Sequence, residues 1–199
     1  MGREMEWKFS ASPEQLAKLA ADQADLQQTR METTYYDSPF RRLGNLRWTL
    51  RRRMENDISV CTLKTPTGDG ARNEWEVECG SIMAAIPKLC QLGAPMELMV
   101  ATVSGVIPVC GARFTRQWKQ IILEDCTVEL ALDSGVLTGN GREIPLSEVE
   151  IECKAGSEEA AARFARTLAD TYGLIPEGRS KFARALALAV GNADTPSHI

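Results

Sequence analysis

Alternation of polar and apolar residues runs through much of this chain and predicts β-strands. The clearest case is Glu4–Phe9, where every second residue is charged and the residues between them are large and apolar. Because strand side chains point alternately to opposite faces, such a segment has one charged and one apolar face. The same signal predicts seven further strands, at Glu32–Tyr36, Asn45–Met54, Ser59–Lys64, Asn73–Cys79, Ala112–Glu124, Thr127–Asp133 and Ser147–Lys154.

Helical spacing appears between these strands. The first helix is predicted from Ser12 as N-cap, Pro13 at its first position and Gln15 three residues after the cap. Four further helices are predicted at Ser81–Leu92, Met96–Ser104, Ser157–Tyr172 and Gly178–Val190. The order of elements indicates an α+β protein dominated by antiparallel strands.

The charges fall on one face, strand after strand. In the last strand Glu148, Glu150 and Glu152 share a face, opposite Val149 and Ile151. One interpretation is an open sheet with one face in solvent. Such a face normally mixes Thr, Ser, Gln and Lys, whereas Glu and Arg dominate here. We therefore expect an eight-stranded antiparallel β-barrel, closed or nearly closed, with a charged interior and surrounding helices.

Composition narrows the functional classes. The 199 residues carry a net charge of −4, which argues against a duplex nucleic acid as partner. Six scattered cysteines without a C-x-x-C pair argue against a zinc knuckle and fit free thiols in the cytoplasm. Neither a signal peptide nor a membrane span is predicted, since Gly105 and Pro108 interrupt the apolar stretch Val100–Cys110. The single histidine, His198, stands in a polar tail, so a histidine general base is not expected.

A charged interior suits a highly charged ligand together with metal ions. Arginine binds phosphate oxygens in bidentate fashion, whereas clustered carboxylates bind Mg²⁺ or Mn²⁺. Metal-assisted hydrolysis of a triphosphate needs no covalent nucleophile. The basic residues expected to hold the triphosphate are Arg51, Arg53, Lys64, Arg116 and Lys181.

Several motifs resemble one family, the CYTH domain, also called the triphosphate tunnel metalloenzymes. Glu4-Met5-Glu6-Trp7-Lys8 matches the family's E-x-E-x-K signature, and the remaining motifs follow in the family's order across about Met1 to Val190. They are Tyr36-Asp37-Ser38-Pro39, Leu50-Arg51-Arg52-Arg53, Thr62-Leu63-Lys64, Arg72-Asn73-Glu74-Trp75-Glu76, Phe114-Thr115-Arg116, Glu129 to Asp133, Glu148-Val149-Glu150-Ile151-Glu152 and Ser180-Lys181.

The resemblance implies roles for these residues and Mg²⁺ or Mn²⁺ as cofactor. Glu74 and Glu76 are expected to line the tunnel at the substrate. The implied metal ligands are Glu4, Glu6, Glu150 and Glu152, with Glu129 and Asp133 completing a second metal site or orienting basic side chains. The implied phosphate-binding residues are Lys8, Arg51, Arg53, Lys64, Arg116 and Lys181, and the catalytic set is Glu4, Glu6, Lys8, Arg51, Arg53 and Lys64.

Two positions depart from the family pattern. Trp118 stands where a basic residue is common, so Lys119 or Arg113 is expected to compensate, and all four tryptophans are expected in the core. Lys154 extends the last acidic strand where a further acid is common. Arg184 lies near Lys181 on one helical face; Lys181 is expected at the tunnel mouth, and the sequence leaves the place of Arg184 open.

The implied activity resembles most closely that of the bacterial inorganic triphosphatases. The alternatives are a thiamine or nucleoside triphosphatase, a class IV adenylyl cyclase, and a non-catalytic polyphosphate-binding module. The expected partner is inorganic triphosphate or another triphosphate-bearing small molecule, with no nucleic acid and no membrane. We expect one domain over residues 1–190, with 191–199 as a tail or the start of a linker to a helical CHAD domain.

Overall fold

The computed structural model describes residues 2–191. Its strands are β1 Gly2–Glu4, β2 Glu6–Ser10, β3 Gln27–Asp37, β4 Thr49–Glu55, β5 Ile58–Pro66, β6 Arg72–Glu78, β7 Ile107–Ile122, β8 Cys126–Gly139, β9 Arg142–Gly156 and β10 Ile175–Pro176. Its helices are α1 Pro13–Ala21, α2 Arg42–Asn45, α3 Ile82–Gln91, α4 Glu97–Ala101, α5 Glu158–Tyr172 and α6 Lys181–Val190. The predicted tail from residue 192 onward lies outside the described residues.

One antiparallel sheet runs in the order β6, β5, β4, β3, β7, β8, β9, and the N-terminal segment joins its two edges. Glu4 of β1 pairs with Arg72 of β6, whereas Glu6 of β2 pairs with Glu152 of β9. Met5 separates the two short strands, and its carbonyl accepts a hydrogen bond from Cys153 N–H at 2.9 Å. Counting β1 and β2 as one broken strand, eight strands form the predicted barrel, and the short β10 extends β2.

Two apolar clusters cover the outer face of the barrel. In the first, α1 and α5 pack on β2, β8 and β9, where Leu19, Leu130 and Ile151 are fully buried. In the second, α3 and α4 pack on β4, β5 and β6 around Leu63 and Leu89. Each fully buried side chain of this kind contributes about 1.5 to 3 kcal/mol. The outer helices therefore hold the barrel together and leave the charged residues to its interior.

A third apolar cluster lies against α6. Phe182 of this helix stacks on Tyr35 of β3, with ring centroids 5.1 Å apart. The helix backbone comes so close to β8 that a Cβ atom at Gly139 would lie 2.6 Å from the Ala185 carbonyl oxygen. Ser180 caps the helix by accepting a hydrogen bond from Ala183 N–H at 3.1 Å. This packing brings Lys181, the first residue of α6, to the charged part of the interior.

The predicted elements are largely confirmed, and the capping box of α1 forms as expected. The strand predicted at Asn45–Met54 begins only at Thr49, because the chain first makes the short helix α2. The Asp37 carboxylate causes this turn by accepting hydrogen bonds from Leu43 N–H at 2.9 Å and Gly44 N–H at 3.0 Å. In residues 2–191 no helix has both the length and the apolar character needed to cross a membrane.

Candidate active site

The barrel encloses a cavity of about 850 Å³ whose walls carry charges of both signs. Within residues 2–191, nine basic and eight acidic side chains line it, so the empty cavity is close to electroneutral. Of the residues predicted for the site, those that line the cavity are Glu4, Glu6, Lys8, Arg51, Arg53, Lys64, Glu74, Glu76, Arg116, Glu129, Glu150, Glu152 and Lys181. Asp133 lies behind the wall, fully buried.

A row of three carboxylates crosses one side of the cavity. The register places Glu6 of β2 opposite Glu152 of β9, and Glu152 opposite Glu129 of β8. Burial raises the pKa of Glu152; Lys154, at 3.0 Å, lowers it, while Glu4 and Glu129 raise it further. Like charges directly opposite one another are destabilising without a counter-ion. The donor set is made only of carboxylate oxygens, which fits Mg²⁺ or Mn²⁺.

The first two glutamates are paired with lysines in this structure. Lys64 Nζ donates to Glu4 Oε1 at 2.6 Å, and Lys8 Nζ donates to Glu6 Oε1 at 2.8 Å. Burial lowers the pKa of Lys8, but Glu6 outweighs it and leaves the pKa raised. Predicted metal ligands and predicted phosphate-binding residues therefore neutralise each other when no ligand is present.

The guanidinium of Arg51 is poorly paired. Its Nε is buried and has no hydrogen-bond partner within residues 2–191. Its terminal nitrogen lies 3.6 Å from Glu74 and 3.8 Å from Glu76, beyond good hydrogen-bond distance. Arg53 lies nearby, and burial together with the charge of Arg51 lowers its pKa. This wall therefore presents two half-buried arginines: Arg53 donates from its Nε to Glu55 Oε1 at 2.7 Å, whereas Arg51 lacks such a partner and would be stabilised by an anion.

The opposite wall holds a tightly paired network. Arg116 donates to both oxygens of Asp133, at 2.8 and 2.7 Å, and also contacts Glu150. Lys181 Nζ lies 2.8 Å from Asp133 and 2.8 Å from Glu150, and it bonds to Glu148 as well. Burial lowers the pKa of Lys181, but these carboxylates outweigh it and raise the pKa. In this structure Asp133 and Glu150 bind the side chains of Arg116 and Lys181. Metal binding by the two carboxylates therefore stays a prediction.

Sequence reasoning overlooked Glu148, which is fully buried and contacts both Lys181 and Arg184. Its position in the same alternating series as Glu150 was the available signal. Three tryptophans lie in the two outer clusters as predicted, but Trp118 lines the cavity. The predicted compensation by Lys119 or Arg113 is wrong, because neither lines the cavity: Lys119 donates to the Ala24 carbonyl and the exposed Arg113 pairs with Glu143.

Comparison with known proteins agrees with this geometry. The family model of the CYTH domain matches residues 2–186. The chain belongs to the CYTH domain family. It is 28% identical over 177 residues to the inorganic triphosphatase of Haemophilus influenzae, covering 84% of this chain. The chain spans about half the length of this curated relative, 50%.

Solved structures confirm the fold. HpAC1 from Hippeastrum, a candidate adenylyl cyclase with a dominant triphosphatase activity, superimposes with a TM-score of 0.67 at 19% identity and 98% coverage of both chains. The protein PH1819 from Pyrococcus horikoshii gives a TM-score of 0.60 at 22% identity, covering 90% of this chain and 96% of that one. The α+β barrel of this chain is therefore the fold of the family.

Proposed function

We propose that this CYTH domain hydrolyses a triphosphate in a metal-dependent reaction, with inorganic triphosphate as its main substrate. The observation that carries the proposal is the poorly paired guanidinium of Arg51, whose buried Nε has no hydrogen-bond partner within residues 2–191, in a cavity where three carboxylates stand opposite one another on β2, β9 and β8. A charge removed from water is costly unless it is paired, so this arrangement favours a ligand that supplies the missing counter-ions. The name of the Haemophilus relative supports the same activity.

Basic residues on both walls would bind the phosphates, and the carboxylates would bind the metal ion. Arg51 and Arg53 on one wall, with Arg116 and Lys181 on the other, would hold the phosphates and fix their orientation. Glu4, Glu6, Glu129, Glu150 and Glu152 would hold the divalent ion. A bound ion of this kind neutralises charge on phosphate oxygens and lowers the pKa of water. These side chains are largely removed from bulk solvent, which strengthens each of the electrostatic contacts.

The proposed test measures phosphate release. Purified protein is incubated with inorganic triphosphate and Mg²⁺ or Mn²⁺, with ATP, thiamine triphosphate and pyrophosphate in parallel. Glu152→Gln should abolish most of the activity, because it removes the central carboxylate of the row. Glu159→Gln is the matched control, since Glu159 is exposed on α5, outside the cavity. Equal loss in both variants, or no metal-dependent release from any substrate, would contradict the proposal and favour a binding module.

One observation favours a substrate that carries an organic group. The indole of Trp118 lines the cavity, and its Nε1 donates to Thr29 Oγ1 at 3.2 Å, which fixes the ring. A fixed aromatic face can stack against a nucleobase or a thiamine ring. Faster release from ATP or thiamine triphosphate than from inorganic triphosphate, reversed in Trp118→Ala, would establish this second candidate.

A further inference from the structure

Three carboxylates, two of them fully buried, form a cage around one lysine. Oxygen atoms of Asp133, Glu148 and Glu150 lie within 4.8 Å of one another, a spacing that a metal ion could use. In this structure the ammonium of Lys181 already contacts all three. Arg116 and Arg184 also bond to the group, so three basic side chains meet three carboxylates. A divalent ion placed among all three carboxylates would displace these partners, so the cage as a whole holds lysine, and only Glu150, at the cavity wall, is open to an ion.

Glu148 has a different position from the other two carboxylates. It does not line the cavity, although Glu150 and Lys181 do. Its two oxygens bind separate cations of α6, Lys181 on one and Arg184 on the other. Lys181 and Arg184 are three residues apart and therefore lie on the same face of α6. By binding both, the Glu148 carboxylate anchors this face of the helix to β9. The result is a defined place for the flexible four-carbon chain of Lys181.

Resting on the proposed function, we propose that Glu148 is a positioning residue that holds the Lys181 ammonium at the cavity wall for binding a phosphate oxygen. An ammonium has three donors, and all three are directed to carboxylates in this structure. Of the three carboxylates, Glu150 is the one that Lys181 would exchange for a phosphate oxygen, because Glu150 lines the cavity and also pairs with Arg116. Glu148 and Asp133, both fully buried, keep Lys181 in place while the third donor turns to the substrate.

A double-mutant cycle separates this role from a structural one. Glu148→Gln keeps the shape and removes the charge, and Lys181→Met removes the ammonium at similar length. In the wild-type background Glu148→Gln should raise KM for triphosphate about tenfold and change kcat less. A tenfold rise in KM corresponds to the loss of about one charged hydrogen bond. In the Lys181→Met background it should have no further effect on KM, because Glu148 acts through Lys181.

The matched control is Asp37→Asn. Asp37 is also a buried carboxylate, but it caps the turn into α2 and should affect the melting temperature without changing KM. If Glu148→Gln does not fold, Glu148→Asp takes its place in the cycle. The aspartate keeps the negative charge, but its side chain is one methylene shorter, so the carboxylate lies further from Lys181.

An active wild type with unchanged KM in the Glu148 variant, or equal effects in both backgrounds, would overturn the positioning role alone. A wild type that neither binds nor hydrolyses triphosphate would overturn the proposed function, and the positioning role with it.

Discussion

Arg51 and Arg116 line the same cavity, yet the structure predicts effects of very different size on stability when each is replaced by methionine. Arg116 makes a bidentate bond to Asp133 and contacts Glu150, so its loss leaves two buried carboxylates short of a partner. Removing one member of a buried ion pair costs about 3 to 5 kcal/mol. Arg116→Met should therefore lower the free energy of unfolding by that amount.

Arg51 has no comparable bonds to lose. Its neighbours keep other partners: Glu74 lies 3.3 Å from Lys64, and Glu76 accepts from the Thr62 hydroxyl at 2.8 Å. Since the variant also avoids burying a charge, Arg51→Met should change the free energy of unfolding by less than about 1 kcal/mol. It should still remove two charged hydrogen bonds to phosphate, about 3 to 6 kcal/mol, which lowers kcat/KM by a hundredfold or more.

Two assays decide the matter: denaturant unfolding without ligand, and steady-state phosphate release from inorganic triphosphate. Arg163→Met serves as control, because Arg163 is exposed on α5 and its nearest carboxylate, on Asp125, lies at 3.9 Å. The reasoning is refuted if Arg51→Met unfolds as easily as Arg116→Met, which would make Arg51 a structural residue. It is equally refuted if Arg51→Met keeps kcat/KM within about threefold of wild type, since Arg51 would then not bind phosphate.

Three further predictions concern the carboxylate row, the thiols and α6. Glu129→Gln should raise stability without metal by about 0.5 to 1 kcal/mol and weaken stabilisation by Mn²⁺, seen in melting curves with and without the ion. Burial raises the pKa of Cys61 to about 11 and of Cys110 to about 12, so their stabilising contribution, complete below pH 9, is lost as pH rises towards 12; the melting temperature should fall between pH 9 and 12, and less in Cys110→Ala. Gly139→Ala should push α6 off β8 and destabilise the fold by about 1 to 3 kcal/mol in denaturant unfolding, whereas an unchanged midpoint would show that the close approach is not required.

The inner and outer faces of the barrel were predictable because strand side chains alternate with a period of two. The same rule also placed Trp118 inside, since it shares a face with Arg116, but the prediction followed the usual burial of tryptophan and was wrong for this residue. Glu148 likewise shares a face with Glu150. In both cases position along the strand was a better guide than residue type.

The pairing inside the barrel could not be predicted from local pattern. Lys64 and Glu4 lie 60 positions apart, and their contact depends on the break at Met5 and on the register of β1 against β6. Lys181 reaches Glu148 only because α6 packs over Gly139. Such contacts follow from closure of the sheet and from helix packing, which alternation along single strands does not encode.

The pairing has a consequence for ligand binding under the proposed function. Lys64 and Lys8 neutralise Glu4 and Glu6 in this structure. A triphosphate that took these lysines alone would leave the glutamates unpaired, and a metal ion that took the glutamates alone would leave the lysines unpaired. Either exchange by itself exposes like charges in a partly buried space, whereas both together restore neutrality. Under the proposed function, metal and triphosphate are therefore expected to favour each other's binding, because both compete for the same ion pairs.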